Sequence, residues 1–590
     1  MEDRIQEKKI KKEEQKAKSR FRNKRLFQYA MKLKSILIIG LVATLVGSLT
    51  ELLGPYIISK ILDENLIEGV GARDYRVFVL LVLAFLGVSI GMGFLRFFME
   101  ILFSKLANGM ALIIRKDVFS HVINLPVQFF DKYPAGKIVT RITNDTQDIR
   151  LLFQILFFDV FTNTIFTLGL LIGLFMIDPY LFLLTLISSP FVYFIFKDYT
   201  KKSTLYNAER RRYNSEMNAN LNETIQTMEV VQSFNNEEYV YKQYSDLNDK
   251  HFKMGRKLSQ LWGYSSFNAT RTLGNLVIAF AVVYFALTFL AGRQAISIGG
   301  LYIFVEYNRR FYQNLNHLSD RIGELEKAKT AADQVFELLE YETYSLGDKV
   351  LDLEGNLEFK GVYFAYDKED VLKDINLSIP AASSAAFVGH TGSGKSTIMN
   401  LIYGFYKIER GSLEFDGHDI RDLDMVEIRK QMAIVFQNPY IFEGTIYDNI
   451  ALFDPAISKE KAQEALINVG GDRILMRDKG IDAKIQEGGS GVSAGEKQLI
   501  SFARAMVRNP KLLVLDEATS NVDSQTEEYI QYGVNKLKEG RTTLIIAHRL
   551  STIKDVDKIF VLDKGRIIEE GSHDQLIAAQ GVYARMYEES

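Results

Sequence analysis

The segment AAFVGHTGSGKSTIMNLI, Ala385–Ile402, sets glycines, a lysine and hydroxyls at the spacing a phosphate cradle needs. Gly389, Gly392 and Gly394 let the backbone curl so that successive N–H groups face phosphate oxygens. Lys395 is placed to reach the β- and γ-phosphates, and Ser396 offers a hydroxyl to Mg²⁺. His390, Thr391, Ser393 and Thr397 complete the expected nucleotide-binding set. An apolar strand leads into this loop and a helical pattern leaves it, the context that separates a P-loop from a chance match. Further on, KLLVLDEATSNVD is an apolar strand ending in two acids. Asp516 is expected to hold Mg²⁺ through water, and Glu517, pointing to the other side, to polarise an attacking water. One carboxylate for the metal and one for the nucleophile suits phosphoanhydride hydrolysis.

A third stretch, SGVSAGEKQLISFARA (Ser490–Ala505), looks like a phosphate-clamping loop that opens a helix. Ser493 and Gly495 suit that task. Ala494 adds a methyl group where backbone should come close, and Glu496 brings negative charge toward a polyanion, which should weaken the clamp by repulsion. Either the changes are harmless, with a small alanine and a glutamate turned to solvent, or the clamp has lost its grip.

These motifs need elements to hold them, and the chain supplies two kinds. Its 590 residues suggest several domains. Up to about Leu318 it carries long apolar runs; the remainder has the pattern of a soluble α/β domain. A formal net charge of −2 gives no global basic field, so no nucleic-acid partner is expected. Cysteine is absent, which excludes disulfides, thiolate metal sites and cysteine catalysis. The charged N-terminus is too long for a secretory signal peptide. It is either a solvated helix or tail or, over residues 21–34, a basic elbow lying on an anionic inner leaflet.

Six segments are expected to cross a bilayer, beginning at Ser35, Val77, Leu151, Leu181, Leu273 and Ile298. The last is the most polar, because Glu306, Arg309 and Arg310 fall inside it. The turn Asp178–Pro179–Tyr180 and the link RQAIS are short, whereas two other connections are long, charged and helical in pattern. With the basic N-terminus inside, the positive-inside rule places those long connections in the cytoplasm and the acidic LDENLIEG outside. The hairpins contain short amphipathic pieces, within Phe129–Asp145 and Asn222–Glu238, that read as plain turns or as coupling helices. Glu51, Arg96, Asp159, Arg271, Glu306, Arg309 and Arg310 sit at membrane depth, where a charge pairs, snorkels or faces a cavity. Substrate candidates are Glu306, Arg309, Arg310, Glu51, Phe157 and Phe158; the aromatic cluster also includes Phe153, Phe161 and Phe166, which ordinary helix packing explains equally well.

With both halves read, the chain resembles an ATP-binding cassette (ABC) exporter half-transporter: an all-α six-helix transmembrane domain followed by an α/β P-loop ATPase domain. The resemblance covers everything after the N-terminal tail. It implies a tail and elbow over 1–34, a transmembrane domain over 35–325, a linker over 326–350 and a nucleotide-binding domain over 351–590. Tyr366 matches the aromatic that stacks on adenine, Gln437 the Q-loop glutamine at Mg²⁺ and water, Asp523 the D-loop, and His548 the switch histidine. The implied ligands are ATP and Mg²⁺; the implied catalytic set is Glu517, His548, Lys395 and Gln437. Ser396, Gln437 and Asp516 are the implied metal contacts. Two such domains are expected to pair head to tail, each ATP lying between one P-loop and the other subunit's signature. The family's Leu-Ser-Gly-Gly-Gln signature here reads Val492-Ser493-Ala494-Gly495-Glu496, after a departing QEGGSG. An armed catalytic set beside a spoiled signature resembles the catalytic-glutamate subunit of heterodimeric bacterial multidrug exporters. That implies a second half-transporter with an intact signature, membrane lipid around both, a small amphipathic drug or lipid as cargo, and a bacterial plasma membrane. A homodimeric lipid flippase, or an ATP-gated channel or regulatory subunit, are the alternatives.

Overall fold

The computed structural model describes residues 19–67, 75–263, 267–291, 296–343, 347–516, 524–547 and 550–588. Residues 1–18 of the expected tail, most of the RQAIS link, and Glu517, Asp523 and His548 lie outside that set. The chain forms two compact units, Met1–Ile123 with Pro134–Tyr341, and Asn124–Tyr133 with Glu342–Ser590.

The first unit is helical. Five described helices are long and apolar enough to cross a membrane. The sixth expected span, Ile298–Leu338, is equally continuous but carries the three charges that lower its hydropathy. The span Lys34–Lys60 buries a stripe of small residues, Gly40, Ala43, Thr44, Gly47 and Ser48. Small side chains let helices approach where lipid supplies no hydrophobic drive. A Cβ on Gly40 would lie 3.2 Å from the Phe103 ring, and one on Gly47 3.0 Å from Met99. Asp178 starts the helix Pro179–Gln226 by accepting from the Tyr180 and Leu181 N–H groups at 2.7 and 3.1 Å, with Pro179 in the first turn. At the same end of the bundle, Asp63 accepts from the Ser297 hydroxyl at 2.6 Å and the Gly299 N–H at 2.8 Å. An acid from the expected outer segment thus caps the last span, where only glycine fits: a Cβ on Gly299 would sit 2.4 Å from the Ser59 carbonyl oxygen.

Two features depart from the linear reading. The last helix runs on to Leu338, through residues assigned above to a linker. The segment ELEKAKTAADQVFEL has neither glycine nor proline and is rich in helix formers. It buries Ala328, Ala331, Ala332, Val335 and Phe336, and the units divide after Tyr341. The third span is also interrupted: a π-helical stretch, Ile155–Val160, separates Thr146–Gln154 from Phe161–Ile177. The hairpin tips are short helices, Val127–Lys132 and Met228–Ser233.

The second unit holds strands β1 (Leu357–Ala365), β2 (Asp370–Ile379), β3 (Ser384–Val388), β4 (Arg410–Phe415), β5 (His418–Asp419), β6 (Met432–Val435), β7 (Gly444–Thr445), β8 (Lys484–Ile485), β9 (Leu512–Asp516), β10 (Thr542–Ile546), β11 (Lys558–Asp563) and β12 (Arg566–Gly571). An antiparallel sheet runs β2-β1-β4-β5, a second sheet runs β12-β11-β3-β10-β9-β6, and β7 and β8 form a small ribbon. In the second sheet β11, β3, β10, β9 and β6 are mutually parallel, with crossovers between them. Strands β9, β10 and β11 are almost wholly buried, which fits their continuous apolar runs.

Candidate functional site

In open parallel sheets ligands bind beyond the carboxyl ends of the strands, where connections diverge. Four neighbouring strands here bring the motif residues to one edge. The P-loop follows Val388 of β3. Its neighbour β10 ends at Ile546, which pairs with Phe387 on one side and with Asp516 of β9 on the other. Beyond β9 lies β6, whose Val435 pairs with Leu515, two residues before Gln437. Register alone therefore gathers the P-loop, Asp516 and Gln437 at one sheet edge. Glu517 and His548 follow β9 and β10 directly in the chain; their own placement lies outside the described residues.

The P-loop backbone is shaped for an anion. Gly389, Gly392 and Gly394 have φ of 150°, 82° and 109°. A Cβ on Gly389 would lie 2.2 Å from the Leu562 carbonyl oxygen, and one on Gly394 2.6 Å from the Leu372 side chain. The helix Lys395–Ile402 starts at Gly394. Lys395 is buried and donates to the carbonyl oxygens of Gly389 and His390 at 2.6 and 3.1 Å, so its ammonium is held against the loop rather than reaching into solvent. The Ser393 hydroxyl is buried without a hydrogen-bond partner among the described residues. A curled backbone, a fixed cation and an orphaned hydroxyl fit a bound polyphosphate. The described residues hold no group of three or more histidine and acidic side chains able to bind a metal by themselves. Mg²⁺ usually keeps several water ligands and takes others from the phosphates it accompanies, so a few protein groups suffice. Ser396, Gln437 and Asp516 would be the protein's share.

Tyr366 keeps an exposed ring at 39% accessibility. Its hydroxyl donates to Thr397 at 3.3 Å and accepts from Asn400 at 3.1 Å. Its ring meets Tyr406 edge-on with centroids 5.0 Å apart, and the Tyr406 hydroxyl donates to Asp131 of the short helix Val127–Lys132. Burial and then the Asp131 carboxylate push the Tyr406 phenol far above its ordinary range. Asn400 and Tyr406 belong to no motif, and sequence reasoning missed both. Their signal is only that a polar residue on the P-loop helix and an aromatic residue just past its end follow the motif.

The signature loop differs from its expected chemistry. Ser493 caps the helix Ala494–Met506: its Oγ accepts from the Glu496 N–H at 3.2 Å, while its own N–H donates to the Glu496 carboxylate at 2.8 Å. Arg477 donates to both Glu496 oxygens at 2.8 Å and to the Gly491 carbonyl at 3.1 Å. The expected repulsion of a nearby phosphate by Glu496 is therefore muted. The carboxylate is turned back onto its own helix and neutralised by a guanidinium. What remains unfavourable is different: the Ser493 N–H is already used, and the Ala494 methyl group is exposed at the tip.

Burial alone would raise the Glu496 carboxyl, but the Ser493 N–H and the Arg477 guanidinium more than offset it and hold the group below the usual carboxylate range. A carboxyl lowered by folding stabilises above its unfolded value, about 4.3, and loses that contribution as pH falls through the lower folded value. The loop should therefore stay capped at neutral pH and loosen only in strong acid. Arg477→Ala should cost about 1 kcal/mol at this helix start, raising amide exchange over Ala494–Met506 about fivefold. Unchanged exchange would show that Arg477 does not hold the loop.

Among the intramembrane candidates, Glu306 is not a free carboxylate. Arg310 and Arg309 donate to it at 2.8 and 3.1 Å. Glu51 accepts from Arg96 at 2.5 Å and lies 3.6 Å from Arg310. Arg321 pairs with Asp159 at 3.0 Å. Phe158 lies edge-on to Phe103, Phe153 is buried in helix packing, and the side chain of Phe157 lies outside the described set.

Residues 37–315 match the family model described as ABC transporter transmembrane region, and residues 372–520 match that described as ABC transporter. The chain is similar to a probable multidrug resistance ABC transporter ATP-binding/permease protein, YheH, of Bacillus subtilis, at 39% identity over 86% of this chain and 76% of the relative. It is also similar to the putative ABC transporter ATP-binding protein exp8 of Streptococcus pneumoniae, at 34% identity over 96% of each. A fatty acid ABC transporter ATP-binding/permease protein of Mycobacterium bovis is 33% identical over 80% of this chain and 75% of that protein. Among solved structures, that of a bacterial Atm1-family ABC exporter with ATP bound superposes with a TM-score of 0.81 at 25% identity, covering 94% of this chain and 98% of the other.

Proposed function

This chain belongs to the ABC transporters, as an exporter half-transporter, and from that premise we propose that it is one subunit of a heterodimer whose two ATP sites are unequal. As a member of that family it spans the inner membrane several times, carries a cytoplasmic ATPase domain, couples ATP hydrolysis to export and works as a dimer. The unequal pair is supported by one contrast. Strand register brings the P-loop, Asp516 and Gln437 to one sheet edge, whereas the signature is closed on itself by its own cap and Arg477. Two copies of this chain would set two closed signatures against two complete catalytic sets. A partner with an open signature would instead complete the site built on Lys395 and leave the other to bind ATP with little turnover.

In that composite site the P-loop N–H groups and Lys395 would hold the β- and γ-phosphates, and Tyr366 would stack on adenine. Bound Mg²⁺ would neutralise charge on the phosphates, held by Ser396, Gln437 and Asp516. Glu517 would accept a proton from the attacking water, with His548 orienting it against the γ-phosphate. Closure of the nucleotide domains would reach the membrane helices through the hairpin tips, a population shift driven by ligand. The names of the relatives, multidrug and fatty acid, favour an amphipathic drug or lipid as cargo. The test compares ATP turnover of the purified chain alone with that of the chain plus a second half-transporter from the same cells that carries an intact signature. The chain alone is expected to stay near background and the pair to be active; equal turnover per subunit in both would favour the homodimeric flippase.

A further inference from the structure

The first unit contains a cavity of about 770 Å³ that sequence reading did not foresee as polar. Four spans line it: Lys34–Lys60, Tyr75–Val122, the third span at its π-helical stretch, and Ile298–Leu338. Such π stretches often mark functional sites, and this one places Phe158 and Asp159 on the cavity wall.

The wall mixes apolar and charged side chains. Met92, Met99, Phe158 and Phe166 supply its apolar surface. Opposed charges occupy the rest: Arg96 and Arg310 against Glu51, Glu100 and Asp159, with Arg321 pairing to Asp159 from just outside the lining. Both signs of charge therefore face the cavity, beside His317, and some are tied to groups behind the wall, Arg310 to Glu306 at 2.8 Å and Arg321 to Glu324 at 2.7 Å. At membrane depth a charge is costly unless matched, so a ligand bearing one net charge leaves one group of the wall uncompensated. A ligand carrying both signs exchanges partners with the wall and leaves nothing unpaired. Three further lining residues, Ser48, Thr162 and Asn316, hold a buried polar atom with no hydrogen bond among the described residues. Ser48 and Asn316 are each more than nine-tenths buried, and their unmet atoms are Ser48 Oγ and Asn316 Oδ1. Asn316 Oδ1 can only accept, so it asks for an N–H or O–H donor. Leaving such groups unmet is expensive, and sites of this kind discriminate strongly for ligands that satisfy them.

We propose that this cavity binds a zwitterionic amphiphile, its phosphate-type anion facing Arg96 and Arg310, its N–H-bearing cation facing Asp159 and Asn316, and its tail on the methionine and phenylalanine side chains. This deepens the export reading above and rests on it for the identity of the ligand as cargo.

The test measures equilibrium binding, without ATP, to the full chain in a neutral maltoside detergent. Four probes share a six-carbon tail and differ in head: phosphoethanolamine, phosphate, ammonium and glucoside. Tail-free phosphoethanolamine is the fifth. The zwitterionic amphiphile is expected to bind about tenfold or more tighter than each of the others. Arg96→Gln should weaken the two phosphate-bearing amphiphiles, and Asp159→Asn the two ammonium-bearing ones, each about tenfold with unfolding temperature as the control for folding. Equal binding of all four heads, tightest binding of a singly charged head, or equal binding of the tail-free head would each overturn the assignment. Because binding is read without ATP, these outcomes leave the hydrolysis reading untouched, and its failure would leave the order of head groups intact.

Discussion

Glu517→Gln, placed in this chain and assayed in the complete pair, is expected to cut ATP turnover by about a hundredfold or more while ATP binding survives. The amide keeps the shape of the carboxylate but cannot take a proton from water, and removing a general base raises the barrier by about 2.7 kcal/mol or more. Binding should persist because the phosphate cradle, the buried Lys395 and the Tyr366 ring are untouched. The loss should be nearly total, since the proposed partner contributes a site with little turnover of its own. Two equal sites would instead leave about half the activity, and that result would remove the one-good-site model. Uphill transport, measured in the same vesicles, should disappear with hydrolysis. Substrate flux that survives the substitution without accumulation would favour an ATP-gated channel.

Much of this site was legible in the linear sequence because nucleotide chemistry constrains residue type and spacing together. A glycine-rich loop between strand and helix, joined to an apolar strand ending in acids, seldom occurs without a nucleotide to bind. What the sequence could not convey is where a flexible side chain turns. Glu496 read as a charge aimed at phosphate; the fold gives it an N-cap and a guanidinium nineteen residues upstream in the chain, an encounter no local pattern encodes. Glu306 likewise read as a cargo carboxylate, yet arginines three and four residues on satisfy it, and that spacing could have been noticed. Hydropathy identified the spans but said nothing of the polar cavity, because Glu51, Arg96, Asp159 and Arg310 come from four separate segments. The helix over the expected linker was hidden for a simpler reason: a polar helix and a charged linker share a composition, and the buried alanines that distinguish them show only in the fold.

Repairing the signature should convert the chain from idle to active without any partner. In the double variant Ala494→Gly, Glu496→Gln, the exposed methyl group at the loop tip is removed and the helix start loses a negative charge. Glutamine can still accept from the Ser493 N–H, so the cap survives in neutral form, whereas its pull on Arg477 falls. A helix N-terminus with a released guanidinium beside it is a better anion site than one already holding a carboxylate. Two repaired chains would then face two complete catalytic sets, and ATP turnover of the chain alone should rise about tenfold or more; one charge-assisted contact per site is enough for that factor. Adding Glu517→Gln should abolish the gain, which shows that it arises at this chain's own catalytic residues. Wild-type chain that already hydrolyses ATP at the rate of the pair would refute the premise that its signature is impaired. So would a repaired chain that dimerises with ATP, by size-exclusion chromatography, and still turns nothing over.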